Sequence, residues 1–204
     1  VYGAGGGQAL NASKNKVTIE GNAKVDGSVL AGEVRRASGK ADGNSVTISG
    51  NANVTQNVTG GKISNSQATT ANENSVNISG NAKVGGYVVG ADVVSGQTAN
   101  KNSVTISDDV NVTGNVLAAH VNNGKEASEN NVTISGNAKV GGNITGGGSI
   151  ASTNAGVEIA NNNKISIEGN ATVRGTITGG DSRKSEGQSN NNQISIGKDV
   201  NISG

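Results

Sequence analysis

The chain of 204 residues carries a net charge of +1 and only 15% charged residues, so no global field draws it to nucleic acid or to an anionic membrane. It has no Cys, Phe, Trp, Met or Pro, and Tyr2 and Tyr87 are its only aromatic residues. This excludes a disulfide framework and a core built on bulky rings, and no run of about 18 apolar residues is present to cross a bilayer.

Residues 1–14 read as the end of a repeating unit, because Val1-Tyr2-Gly3-Ala4 matches Val29-Leu30-Ala31-Gly32 and Val88-Val89-Gly90-Ala91. Seven units follow, opening at Asn15, Asn44, Asn74, Asn102, Asn130, Asn163 and Asn192, at spacings of 28 to 33 residues. A fixed period of this size marks stacked repeat architectures. The last unit is truncated: Val200-Asn201-Ile202-Ser203-Gly204 matches Val110-Asn111-Val112-Thr113-Gly114. Both ends are in phase and neither carries a polar cap. Residues 1–204 are therefore expected to be one solenoid segment excised from a longer array.

Within a unit the apolar and Gly positions hold one parity for about sixteen residues, as at Val76, Ile78, Gly80, Ala82, Val84, Gly86 and Val88. Alternation of period two is the strand signature, since successive side chains leave opposite faces. Gly-Asn pairs such as Gly80-Asn81 mark a bend. The bend divides the unit into a strand over Val76–Ser79 and a second over Ala82–Val88. A third apolar point recurs at Val34, Ile63, Val93, Val121 and Ile150, and Ser182 in its place predicts a weak third strand in the sixth unit. Polar segments of variable length close each unit, such as 37–43, 65–73, 95–101, 123–129, 152–162 and 184–191.

Three short strands per coil predict an all-β parallel β-helix (β-solenoid) of about seven coils of ~29 residues, stacked about 4.8 Å apart. Val17, Val46, Val76, Val104, Val132, Ile165 and Ile194 then form one internal column, and the leading Asn residues a stacked amide ladder at a corner. On the outside, Lys24, Asn53, Lys83, Asn111 and Lys139 alternate so that no Lys stacks on Lys.

Chemistry-bearing patterns are sparse. His120 is the only histidine, which gives no support to a His-dependent triad or a multi-His metal site; beside Val121 it reads as an outward strand residue. Asp108-Asp109 replaces the Gly-Asn bend of the fourth unit and is the one candidate Ca²⁺ pair, with turn chemistry as the competing and favoured reading. Glu20 and Glu168 share a column five coils apart, about 24 Å, too far to cooperate as a carboxylate pair. Asp92 and Glu33 belong to other, separated coils. Gly3–Gly7 and Gly146–Gly148 lack the Gly-Lys-Ser/Thr ending of a phosphate loop. The basic pairs Arg35-Arg36 and Arg183-Lys184 open variable segments, either as candidate partner contacts or as solvated loop residues. No cofactor is implied, and the expectation is a non-enzyme.

The unit Asn-Ser-Val-Thr-Ile-Ser-Gly…Val-x-Gly-Asn-Val-x-Gly-Gly, seen at 74–90, 102–118 and 130–147, resembles the passenger regions of bacterial autotransporter (type V secreted) surface adhesins over nearly the whole chain. That resemblance implies a right-handed β-helical stalk, secreted or on the bacterial cell surface and anchored in the outer membrane by the full-length protein. A structural and adhesive role is expected, with virulence-type partners: a host-cell or bacterial surface protein or glycan reached through the variable loops on one face. The alternatives are a self-assembling extracellular filament joined end to end and, less favoured, a carbohydrate-active β-helix enzyme. Nucleic acid and membrane insertion by this segment are not expected.

Overall fold

A computed structural model of the chain describes residues 1–6, 11–36, 38–64, 69–94, 97–149 and 156–204. These residues form an all-β parallel solenoid with three seven-stranded sheets, and the described residues contain no helix. In each sheet every strand hydrogen-bonds to its counterpart one coil away. The third coil is representative, with strands Ser75–Ile78, Lys83–Val84 and Val88–Val93. The stack is about 30 Å long at about 4.8 Å per coil.

Residues one period apart fall in register as the alternation requires. Val17, Val46, Val76, Val104, Val132, Ile165 and Ile194 stack in the first sheet, and Lys24, Asn53, Lys83, Asn111 and Lys139 in the second. The expected second strand, Ala82–Val88, is not one strand. Lys83–Val84 is followed by a bend at Gly85-Gly86, and Val88 opens the six-residue strand that ends at Val93. The corner preserves the in–out parity, so periodicity alone runs straight through it. Side-chain amides hold this corner: Asn57 Oδ1 accepts from the Tyr87 N–H at 3.1 Å and Asn115 Oδ1 from the Asn143 N–H at 2.8 Å. In the sixth unit the third strand does form, at Ile177–Asp181, and Ser182 makes a single bridge to Val157. Ile150 lies outside the described residues.

The closing segments are more regular than their sequences suggest. A fourth column of single-residue bridges links Asn11, Lys40, Thr70, Thr98, Glu126, Ile159 and Gln188. The residue after each of the first six bridges is a fully buried Ala: Ala12, Ala41, Ala71, Ala99, Ala127 and Ala160. With Val34, Ile63, Ala91, Val93, Ala119 and Val121 they form a second, smaller core beside the main one. Only the stretch between the third strand and this bridge remains variable. Parts of it, at 37, 65–68, 95–96 and 150–155, lie outside the described residues.

The leading Asn residues form a continuous ladder at the boundary of the two cores. Asn44, Asn74, Asn102, Asn130 and Asn163 are at most 1% exposed. Each Oδ1 accepts twice from the preceding coil, as Asn102 does from the Asn74 backbone N–H at 2.9 Å and from Asn74 Nδ2 at 3.1 Å. The pattern repeats from Asn15 to Asn192. The residue before each Asn turns the chain through the left-handed region, with φ of 58° at Glu73, Lys101 and Glu129.

Two stability predictions follow from these corners. Asn102→Ala leaves the buried Asn74 N–H and amide without their acceptor, and unfolding in urea should show a loss of about 3 kcal/mol or more. Lys101→Gly removes the left-handed penalty at an exposed position, and the same measurement should show a gain of about 0.5–1 kcal/mol.

Candidate functional site

From Val29–Val34 to Ile144–Gly148 the third-sheet strands are buried on both faces, unlike those of the first sheet. Val88–Val93 is buried at all six positions, whereas Ser75–Ile78 alternates. Val88 faces the main core, Ala91 and Val93 face the second core, and the Cβ position of Gly90 stands 3.2 Å from Asn102 Cβ. Two successive residues thus face inward and the strand bends between them. The second and fifth residues of the strand are left together on the outside. There they converge on a depression of about 250 Å³ whose lining includes Val89, Asp92, Leu117 and His120.

The fifth positions stack in register as Glu33, Lys62, Asp92 and His120. Lys62 Nζ lies 3.0 Å from Asp92 Oδ2, and His120 Nδ1 lies 2.9 Å from Asp92 Oδ1. At the end of the column Glu33 accepts from Arg35 at 2.9 Å and from the Ser64 hydroxyl at 3.0 Å. Asp92 and Glu33 are each only 5% exposed. Burial pushes the Asp92 carboxyl up, but the His120 hydrogen bond and the Lys62 charge together outweigh it and hold it below the usual carboxylate range. Burial likewise pulls Lys62 down, and Asp92 more than restores it, so its ammonium sits above the ordinary Lys value. A carboxylate only accepts, so His120 Nδ1 carries a proton toward Asp92, and Nε2 is left as the ring's second hydrogen-bonding nitrogen. That Nε2 is one of three buried side-chain polar atoms without a partner among the described residues.

The depression continues toward the first coil. A second hollow, of about 170 Å³, shares Lys62 and Tyr87 with the first and extends to Glu33, Arg35 and Tyr2. The two make one groove along the solenoid axis over five rungs, from Tyr2 to His120, a span of about 19 Å. Both aromatic residues of the chain line it. A larger hollow of about 670 Å³ over the second sheet has Lys139 and Arg174 as its only charged lining residues. No family model, curated protein or solved structure matches the chain.

The remaining sequence candidates sit elsewhere. Asp108 occupies the bend with φ 63° and its Oδ2 accepts from the Gly80 N–H at 2.9 Å. Asp109 replaces Asn in an outer ladder, where its Oδ1 accepts from Asn137 Nδ2 at 2.8 Å. Both carboxylates are thus occupied by turn chemistry, and among the described residues no three His, Asp or Glu gather around a metal-sized space. Glu20 and Glu168 follow first-sheet strands five rungs apart. Arg35 is at the rim of the groove, Arg36 is exposed, Arg183 pairs with Asp181 at 2.7 Å and Lys184 with Glu158 at 3.4 Å. The two basic pairs stand five rungs apart, so the fold does not join them. Gly146–Gly148 belongs to the strand Ile144–Gly148 and Gly3–Gly6 to the strand Tyr2–Gly6, and Gly7 lies outside the described residues.

Glu33 and Asp92 do lie on separate coils, two rungs apart, but the fold places them in one column with Lys62 between them. The signal is present in the sequence, because Glu33, Lys62, Asp92 and His120 each immediately precede the third apolar point.

The ionic column makes a pH prediction. With its folded pKa below the unfolded value of about 3.9, Asp92 adds stability that is complete above that value and fades as pH falls through the folded pKa. Asp92→Asn should therefore cost about 1–3 kcal/mol at neutral pH, and thermal melts of mutant and parent should converge below about pH 4.

Proposed function

We propose that the chain is a non-catalytic structural and adhesive stalk of a secreted or cell-surface bacterial protein of the autotransporter adhesin type. The observation that carries this reading is the distribution of regularity. Inward columns, the buried Asn ladder and the fourth bridge repeat coil after coil, while variation in length is confined to the short stretch after each third strand. A scaffold so fixed keeps its shape over its length, and the loops it displays along one side can change without disturbing it. A host or bacterial surface protein or glycan is the partner expected for that side.

A second reading is end-to-end assembly into filaments, and it draws on the constant register of the stack, in which every strand pairs with its counterpart one coil away through the same parallel edges.

Beads coated with the chain separate the two readings. Adherence to cultured epithelial cells or bacteria should drop several-fold when Asn122-Asn123-Gly124-Lys125 is replaced by Ser-Gly-Ser-Gly, with the thermal melt unchanged. Beads that bind nothing, from a chain that sediments as uniform fibres at rising concentration, would overturn the stalk reading in favour of assembly.

A further inference from the structure

From the geometry of the third-sheet groove we propose that it is a binding site for a neutral oligosaccharide. This site needs only the fold described here and is distinct from the variable loops.

Four observations converge on that ligand class. First, the groove's ionic groups are already matched: Asp92 holds Lys62 and His120, and Glu33 holds Arg35. A charged ligand would find no uncompensated partner, whereas hydroxyls can add to such a network without displacing it. Second, His120 Nε2 is buried with no partner, an unmet hydrogen-bonding nitrogen that a ligand hydroxyl, donor and acceptor at once, satisfies. Lys62, with N–H groups beyond the one facing Asp92, supplies a donor on the same floor. Third, the rest of the first hollow's lining is apolar or aromatic, with Val89 and Leu117 beneath, exposed Val94 at the edge and Tyr87 between the two hollows, while the second hollow adds the neutral hydrogen-bonding side chains of Ser28, Asn57 and Thr59. The C–H face of a pyranose ring packs on such surfaces while its rim hydrogen-bonds. Fourth, the groove repeats every 4.8 Å or so, close to the length of one sugar ring, and Tyr2 lies three rungs from Tyr87. An extended chain of several sugars lies along it with successive rings meeting equivalent positions.

A peptide strand is a poor fit. Every third-sheet strand from Val29–Val34 to Ile144–Gly148 is paired on both sides, so the groove floor offers no free backbone edge for strand addition.

The test uses the whole chain with cellohexaose, xylohexaose, maltohexaose and chitohexaose, and oligogalacturonate as the acidic control, read by saturation-transfer NMR and titration calorimetry. The expected result is saturable binding of at least one neutral hexasaccharide, with its disaccharide much weaker. Tyr87→Ala should weaken it about tenfold, and His120→Leu should do the same. Tyr2→Ala, at a 63% exposed position, serves as a variant that leaves the core untouched and should weaken long ligands more than short ones. Thermal melts check that each variant is folded. Absence of saturable binding by every neutral sugar, binding of the acidic oligomer alone, or binding that survives both Tyr87→Ala and Tyr2→Ala overturns the proposal. Loss of binding in the 122–125 loop replacement with full binding in the Tyr variants also overturns it, and leaves the loop-face reading standing.

Discussion

The fold depends on the buried amide ladder. A parallel solenoid pairs its strands coil to coil, but its corners must leave the sheet, and there the backbone N–H groups lose their ladder partners. At the leading Asn the next coil's side-chain oxygen takes up that N–H and the amide nitrogen together. Each amide is donor to one neighbour and acceptor for the other, so no member is satisfied unless the whole column is. This fixes the register of the coils even where the intervening segment is three to five residues longer, as between Asn130 and Asn163. Excess length is expelled into the stretch after the third strand while the corner stays in place.

The same ladder shapes the outside. It lies between the main core and the Ala-rich second core, and the third strand bends around it. A sheet that stayed flat would present its outward residues to solvent as the first sheet does with Thr18, Thr47 and Thr105. The bend instead draws the outward residues together, so that Glu33, Asp92 and Leu117 are buried although they point away from the cores. Burial at a rung spacing of about 4.8 Å makes stacked like charges intolerable. The column answers with alternating sign at Glu33, Lys62 and Asp92, and His120 follows as a hydrogen-bond partner of Asp92. The groove and its ionic column are thus one consequence of where the amides sit.

Much of this was legible in the sequence. The period, the internal Val/Ile column, the alternating Lys column and the Asn ladder all follow from positions relative to the leading Asn, because a parallel stack converts equal offsets into direct neighbours. What the sequence hid were the corners. Gly85-Gly86 turns the chain without breaking the alternation, so two strands read as one. Ala99 and its equivalents looked like part of a polar variable segment, since a single Ala between polar residues has no periodicity of its own; only its constant place three residues before the Asn marks it. As a sequence position His120 reads as an outward strand residue, which describes its direction but not its burial, because burial there arises from a bend that no local pattern encodes.

Column logic also bears on where chemistry can reside in such a molecule. In a globular fold, groups that cooperate come from anywhere in the chain. In a parallel stack they come from one offset in successive units, and the distance between them is quantised in rungs. That is why Glu20 and Glu168, five rungs apart, stay independent, while Lys62, Asp92 and His120, on adjacent rungs, form a hydrogen-bonded set. Sequence neighbours such as Arg35 and Arg36 do not act together: Arg35 turns back to Glu33 and Arg36 stays in solvent. A surface built this way favours ligands that are themselves periodic, because each added ligand unit meets a group of the same offset one rung further on. The groove from Tyr2 to His120 is the part of this surface where offset, burial and unmet hydrogen-bonding capacity coincide.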